Sequence, residues 1–337
     1  MSYKRRDSRF ELLRIVSMIL IVMCHFSLWG GWAHNYGNEL FKNMLFHPLG
    51  QIGVYLFAMI SGYFLSSKIP DFYKQISRVR LLWIKVIIYS YIFLILNFIF
   101  KFKTIGLKDI IRNVFPVFFN QYWFMTSFII LMMLVPAINW MIKDSNKKEF
   151  IILIIMFTLF ADIYPTLILA KDGPFGGPMV VAALITPYMI SAYIKKYNIK
   201  VSNIIGILIT IIPLFLEYVF MYLFRNKGLE KMQRFNFGIL PLISAVGIFL
   251  LVINFRQFYN SKINFFASSV LASYLITVNP LFELYFNKKL VNIAMFQDSV
   301  WLPVVGIVLA IIVVLCCCLI DKMLMIPVNK LMRRFSK

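Results

Sequence analysis

Arg14 and His25 lie eleven residues apart inside one apolar run that extends from residue 12 to residue 25. A helix turns 100° per residue, so eleven steps return to within about 20° of the start, and the two side chains share a face. At 1.5 Å per residue they stand about 16 Å apart along the axis, roughly half the hydrocarbon core of a bilayer. Placing an Arg at the centre of a membrane helix costs about 2.5 to 3.5 kcal/mol on insertion scales. That face therefore needs something polar beside it: a cavity, a substrate path or partner side chains. For either residue alone a plainer account exists. Arg14 can extend to the nearer surface, and His25 can bond a backbone carbonyl.

The rest of the chain demands a membrane. It is 61% hydrophobic with a mean hydropathy of +0.80, whereas soluble domains are about 45–50% apolar. Ten runs are long enough to span: roughly 11–29, 49–66, 81–100, 121–142, 150–170, 177–195, 203–224, 237–255, 266–286 and 300–321. The expectation is an all-α, polytopic integral membrane bundle of about ten transmembrane helices, with no cleaved signal peptide. One membrane domain spans 8–325, and short basic tails occupy 1–7 and 326–337. Cys24, Cys316, Cys317 and Cys318 all fall inside expected spans, so they define no disulfide framework. Packing or lipid contact accounts for them, and palmitoylation is the alternative.

A net charge of +21 would suggest nucleic acid in a soluble protein. Here the positive-inside rule accounts for it, and no nucleic-acid partner is expected. With the N-terminus inside, 23 of the 35 Lys and Arg fall on the inner side, and both termini are cytoplasmic. The outer loops around Lys101–Arg112 and Arg225–Arg234 run against that trend. Turn signals punctuate the chain at Gly30-Gly31, His47-Pro48, Ile69-Pro70, Gly173-Pro174 and Gly176-Gly177-Pro178.

Polar residues within or beside the spans carry the chemistry. Glu11 precedes Arg14 by one turn and can pair with it, which orients the guanidinium. His25 is the one intramembrane histidine of three, because His34 and His47 fall in the first outer loop. It is the natural acid–base group near neutral pH. In the second span, Gly53 and Gly62 permit close approach of another helix, and Ser61 can bond a neighbour. Arg78, Arg80 and Lys85 stand where an inner loop enters the third span, and they either signal topology or hold phosphates of a cytosolic ligand. Tyr122 and Trp123 open the fourth span as an interfacial belt would. Asp162, Glu217 and Glu283 are further intramembrane candidates. The sequence holds no metal-ligand cluster, no phosphate-binding glycine loop and no Gly-x-Ser-x-Gly elbow.

Taken in order, these residues resemble the acyltransferase-3 family of integral membrane acyltransferases. The resemblance rests on Glu11, on the Arg–x10–His pair of Arg14 and His25, and on Gly53-Val54-Tyr55-Leu56-Phe57 with Ile60-Ser61-Gly62-Tyr63. Tyr122-Trp123-Phe124, Ala267-Ser268-Ser269 and Ser273-Tyr274-Leu275-Ile276 continue it over nearly the whole chain. Thr277 stands where the family often has a His, and Trp83 where it has the second Arg of a basic pair.

The resemblance implies transfer of an acyl group, usually acetyl, from cytosolic acyl-coenzyme A to a hydroxyl of a surface polysaccharide or lipid-linked glycan. The donor is a substrate, and no permanently bound cofactor or metal is implied. Arg14 would bind the donor with Arg78, Arg80 and Lys85, and His25 would act on the sugar hydroxyl or carry the acyl group. Glu11 would support Arg14, with Ser61, Tyr122 and Trp123 in supporting places. The setting would be a cell membrane of the bacterial cytoplasmic type, without an appended extracytoplasmic domain. The competing account is a glycan or lipid transporter or flippase, which explains intramembrane polar groups without acyl transfer.

Overall fold

The computed structural model describes residues 6–67, 69, 72–167 and 179–335, with side chains at all of these except 165, 166, 179, 180 and 327–335. Residues 1–5, Lys68, the turn signals at 173–178 and the side chains of the C-terminal basic tail therefore lie outside the described residues, as does Pro70.

Among the described residues every regular element is helical. In chain order they are α1 (Ser8–Trp29), α2 (Gly37–Asn43), α3 (His47–Leu65), α4 (Phe72–Phe100), α5 (Leu107–Val114), α6 (Trp123–Lys143), α7 (Lys147–Thr158), α8 (Tyr164–Leu167), α9 (Met179–Lys196), α10 (Asn203–Phe224), α11 (Leu229–Met232), α12 (Ile239–Asn254), α13 (Ser261–Ala267), α14 (Leu271–Thr277), α15 (Glu283–Tyr285) and α16 (Leu302–Phe335). Among the described residues, seven helical stretches, built on α1, α3, α4, α6, α10, α12 and α16, are long and apolar enough to cross a membrane. The expected span at 150–170 is α7 continued through a π-helical turn, Leu159–Ile163, into α8. The one at 177–195 is α9.

The expected span at 266–286 requires correction. It is not a continuous helix: α13 ends at Ala267, α14 ends at Thr277, and α15 begins only at Glu283. Asn279-Pro280 causes the second break. The residue before a proline is pushed out of the α region, and Asn279 Oδ1 accepts from the Leu281 N–H at 2.9 Å, a side-chain turn that replaces the helical bond. Backbone off the helix is tolerated at membrane depth only where protein or a cavity covers it. Asn279 is fully buried, and Pro280 lines a cavity.

Small residues hold α3 at the centre. A Cβ on Gly53 would strike the Ser17 carbonyl of α1, and one on Gly62 would strike the Tyr188 carbonyl of α9. The two glycines let α3 pack backbone to backbone on both neighbours.

Long basic side chains gather the helix ends on one side. Arg9 donates to the carbonyls of Ile253 and Phe255, at 3.0 and 2.6 Å, so α1 starts where α12 ends. Lys195 donates to the Tyr63 carbonyl at 2.6 Å and Lys196 to that of Ile142 at 2.8 Å, which ties the end of α9 to those of α3 and α6. Lys322 reaches Ser268 at 2.6 Å. Cations on carbonyls at helix C-termini satisfy groups that lack an intrahelical partner. This is the end that the distribution of charge assigns to the cytoplasm. At the opposite end Arg225 bonds Asn38 at 2.7 Å, and the Ala33 N–H bonds Gln297 at 3.0 Å.

Candidate functional site

His25 is buried on α1, one turn from the outer end, with its ring centroid 4.8 Å from that of Trp29 and 6.1 Å from that of Tyr274. Its Nδ1 is buried without a hydrogen-bond partner among the described residues. The ring forms part of the wall of a cavity of about 540 Å³. Gln51, Gln121, Gln233, Glu230 and Glu283 bring amides and carboxylates to that cavity, while Trp29, Trp123 and Tyr274 bring aromatic surface. Such a mixture suits a polyhydroxylated ligand, because the rings cover its C–H faces and the polar groups meet its hydroxyls.

His47 stands in the same wall. The sequence expectation put it in an outer loop, yet it is the first residue of α3 and is buried. Pro48 held the signal, since proline favours the first turn of a helix.

Arg14 and Glu11 form the expected pair, Nη1 to Oε1 at 2.8 Å, with the carboxylate 8% exposed and the guanidinium 31%. The face between Arg14 and His25 is closed, however. Met18 and Val22 lie between them and are both fully buried. Arg14 does not line the His25 cavity. The polar surroundings that the shared face requires are thus of two kinds: a carboxylate for Arg14 and a cavity for His25.

The cluster expected to hold the donor divides. Arg78 and Arg80 are exposed, and they lie within α4, which begins at Phe72 rather than near residue 81. Arg78 donates to Gln75 at 3.0 Å. Lys85 is engaged elsewhere: its Nζ lies 2.9 Å from Asp321 of α16, and Tyr89 donates to the same carboxylate at 2.8 Å. That cluster joins two helices.

A second cavity, of about 670 Å³, opens at the inner end between α3, α6, α7 and α9. Lys143, Lys195, Lys196, Ser66, Ser67 and Asn139 supply its polar wall. These lysines read in sequence only as topology signals. Nothing local distinguishes them, because the ends of two helices, α6 and α9, bring them together.

The supporting residues also sort themselves. Ser61 bonds the Phe57 carbonyl of its own helix at 3.1 Å rather than a neighbouring helix. Tyr122 is no interfacial residue: it is buried and accepts from Asn279 at 2.6 Å, which fixes the broken segment to the start of α6. Trp123 lines the outer cavity. Asp162, in the π-helical turn, accepts from Tyr55 at 2.7 Å. Glu217 is fully buried, neither of its oxygens has a hydrogen-bond partner among the described residues, and it lines neither cavity. Glu283 reaches the outer cavity because the break at Asn279-Pro280 turns the chain there.

The model of the acyltransferase-3 family, an acyltransferase domain, matches residues 7–320. No curated protein and no solved structure matches the chain.

Proposed function

The chain belongs to the acyltransferase-3 family, and on that premise we propose that it moves an acetyl group from acetyl-coenzyme A to a hydroxyl of a surface or lipid-linked glycan. The observation that carries this is the outer cavity, where a buried histidine meets carboxylates, amides and tryptophans. A sugar binds with its C–H face on Trp29 or Trp123 and its hydroxyls on Glu283 and the glutamines. His25 then takes the proton of the attacking hydroxyl.

The donor enters from the cytoplasm. Carrying coenzyme A's phosphates through hydrocarbon would be prohibitive, whereas its pantetheine arm is slim and nearly neutral. Lys143, Lys195 and Lys196 at the inner cavity, with Arg78 and Arg80 at the start of α4, are the cations for the phosphates. Arg14 pairs with Glu11 through Nη1, and its other donors hold the amides of the arm. Met18 and Val22 stand in the way of the thioester, so they move aside for each transfer. Methionine's flexible, unbranched side chain suits that task.

Membranes carrying the protein, incubated with [14C]acetyl-coenzyme A, provide the test. Alkali-labile label should enter glycan with the native chain. With His25→Ala at equal abundance it should fall by about 10²- to 10⁴-fold, the range for loss of a general base. Equal labelling by the two would remove the assignment.

A further inference from the structure

Asn236 fixes the proton of the second histidine in the cavity wall. Its Nδ2 lies 2.7 Å from His47 Nδ1, and the same nitrogen lies 3.2 Å from Met221 Sδ. A thioether sulfur accepts hydrogen bonds and cannot donate them. The amide atom facing it is therefore the nitrogen, whose two hydrogens go to the sulfur and to Nδ1. Turning the amide over would set its oxygen against the sulfur. It would also strand the nitrogen, just as Oδ1 is now without a partner among the described residues. With Nδ1 accepting, the neutral ring carries its proton on Nε2. Phe237 holds the ring edge-on at 5.5 Å between centroids. Nδ1 is occupied, so Nε2–H is what His47 offers to the cavity that it shares with His25.

We propose that His47 is a second catalytic residue: its Nε2–H, set by Asn236, donates to the acyl carbonyl oxygen while His25 takes the proton of the attacking hydroxyl. This rests on the acyl-transfer function proposed above. The sugar oxygen bonds to the carbonyl carbon as its proton passes to His25. The carbonyl electron pair moves to oxygen, where His47 stabilises the charge. When the carbonyl reforms, the carbon–sulfur bond breaks, and the thiolate of coenzyme A takes the proton from His25. A donor aimed at developing oxyanion charge acts in the transition state more than in the ground state. The two histidines thus divide the work, one as a base that must be free and one as a donor that must be held. Asn236 is a positioning residue that acts through His47.

The transfer assay with [14C]acetyl-coenzyme A and the membranes' own glycan tests this. His47→Leu should lower turnover about 10²- to 10³-fold, as loss of one oxyanion donor does, with little change in KM for acetyl-coenzyme A. His47→Gln, which returns an N–H near the Nε2 position, should recover at least about tenfold of the loss. Asn236→Asp supplies the readout that a merely structural role would not move. A carboxylate draws the proton to Nδ1 and leaves a lone pair on Nε2, so turnover falls near neutral pH. Acidification adds the second proton, and Nε2 donates again. The ratio of the variant's rate to the native rate should therefore rise as pH falls. The other titratable groups of the cavity wall are His25, Cys24, Tyr274, Glu230 and Glu283, and Tyr218 of α10 donates to the Leu45 carbonyl two residues before His47. They are present in both proteins. If His47→Leu does not accumulate, His47→Gln and the Asn236→Asp ratio decide. Native turnover within threefold in His47→Leu, or a ratio that stays flat with pH, overturns the proposal. A native chain that transfers no acetyl overturns the proposed function instead.

Discussion

The two cavities differ in how their polar groups are occupied. At the outer end, His25 Nδ1 has no partner among the described residues, and Glu283, Gln121 and Gln233 line the cavity. At the inner end the lysines already serve the fold: Lys195 and Lys196 bond carbonyls at the ends of α3 and α6. Lys196 Nζ donates to the carbonyls of Ile142, Lys143 and Ser145, which takes up the three donors of an ammonium, so to a phosphate it offers its charge rather than a further N–H. A base in chemistry can hold nothing else while it waits for a proton. Under the proposed function, the contrast separates a site for reaction from a site for binding. The third group of charges, inside the helix bundle, belongs to neither. Lys85, Asp321 and Tyr89 satisfy one another.

The comparison breaks first if that interior cluster binds the donor after all. Removing one partner of a buried ion pair leaves the other uncompensated and costs about 3–5 kcal/mol. Lys85→Leu and Asp321→Leu should each lower the unfolding temperature and the yield of purified protein sharply. The double variant should regain most of the loss, short of what Tyr89 gives up by losing its acceptor. Any double variant that accumulates should bind acetyl-coenzyme A as the native chain does. A stable double variant that no longer binds it would return Lys85 to the donor site.

A reciprocal pair of variants sharpens the contrast at a smaller scale. Lys143 is exposed at the inner cavity and makes no side-chain bond among those described. Lys143→Ala should weaken acetyl-coenzyme A binding about tenfold, the worth of one charge-assisted contact of about 1.4 kcal/mol, and added salt should shrink the difference. Glu283→Gln should leave that binding alone and raise KM for the glycan by a similar factor. Isothermal titration and the transfer assay read the two effects separately. If each variant changed both constants equally, the cavities would not be separate sites.

How far the sequence revealed this site depended on how local each signal was. Helical periodicity placed Arg14 and His25 on one face, and the three-residue spacing placed Glu11 on Arg14. Both hold, because neither depends on other helices. The glycines of α3 announced close packing correctly but could not name α1 and α9 as the partners. Lys85, expected beside Arg78 and Arg80 at the donor, pairs with Asp321, a partner 236 positions away that no local pattern could name. His47 was missed although Pro48 marked a helix start beside it. The break after α14 was missed although Asn279-Pro280 is a strong turn signal, because the apolar run on either side outweighed it. The pairing of His47 with Asn236 spans 189 positions and leaves no local trace.

Thr277 presents the smallest expected effect and the clearest boundary of the outer site. The resemblance left this position open, because relatives often carry a histidine there. In the structure the residue is fully buried, and its hydroxyl donates to the Ser273 carbonyl one turn back, at 2.8 Å. Its neighbours Tyr274 and Val278 line the cavity, but Thr277 does not. A hydroxyl bonded to its own helix leaves no buried polar group unpaired when it is removed, because the Ser273 carbonyl keeps its helical N–H partner. Thr277→Val should therefore change stability by less than about 1 kcal/mol and leave turnover and both KM values within twofold. The assay should be run beside His25→Ala so that the dynamic range is known. A large fall in turnover at unchanged stability would show that the wall of the reaction site extends past Tyr274 to the buried face of α14. The donor for the carbonyl oxygen would then have to be sought at Thr277 rather than at His47.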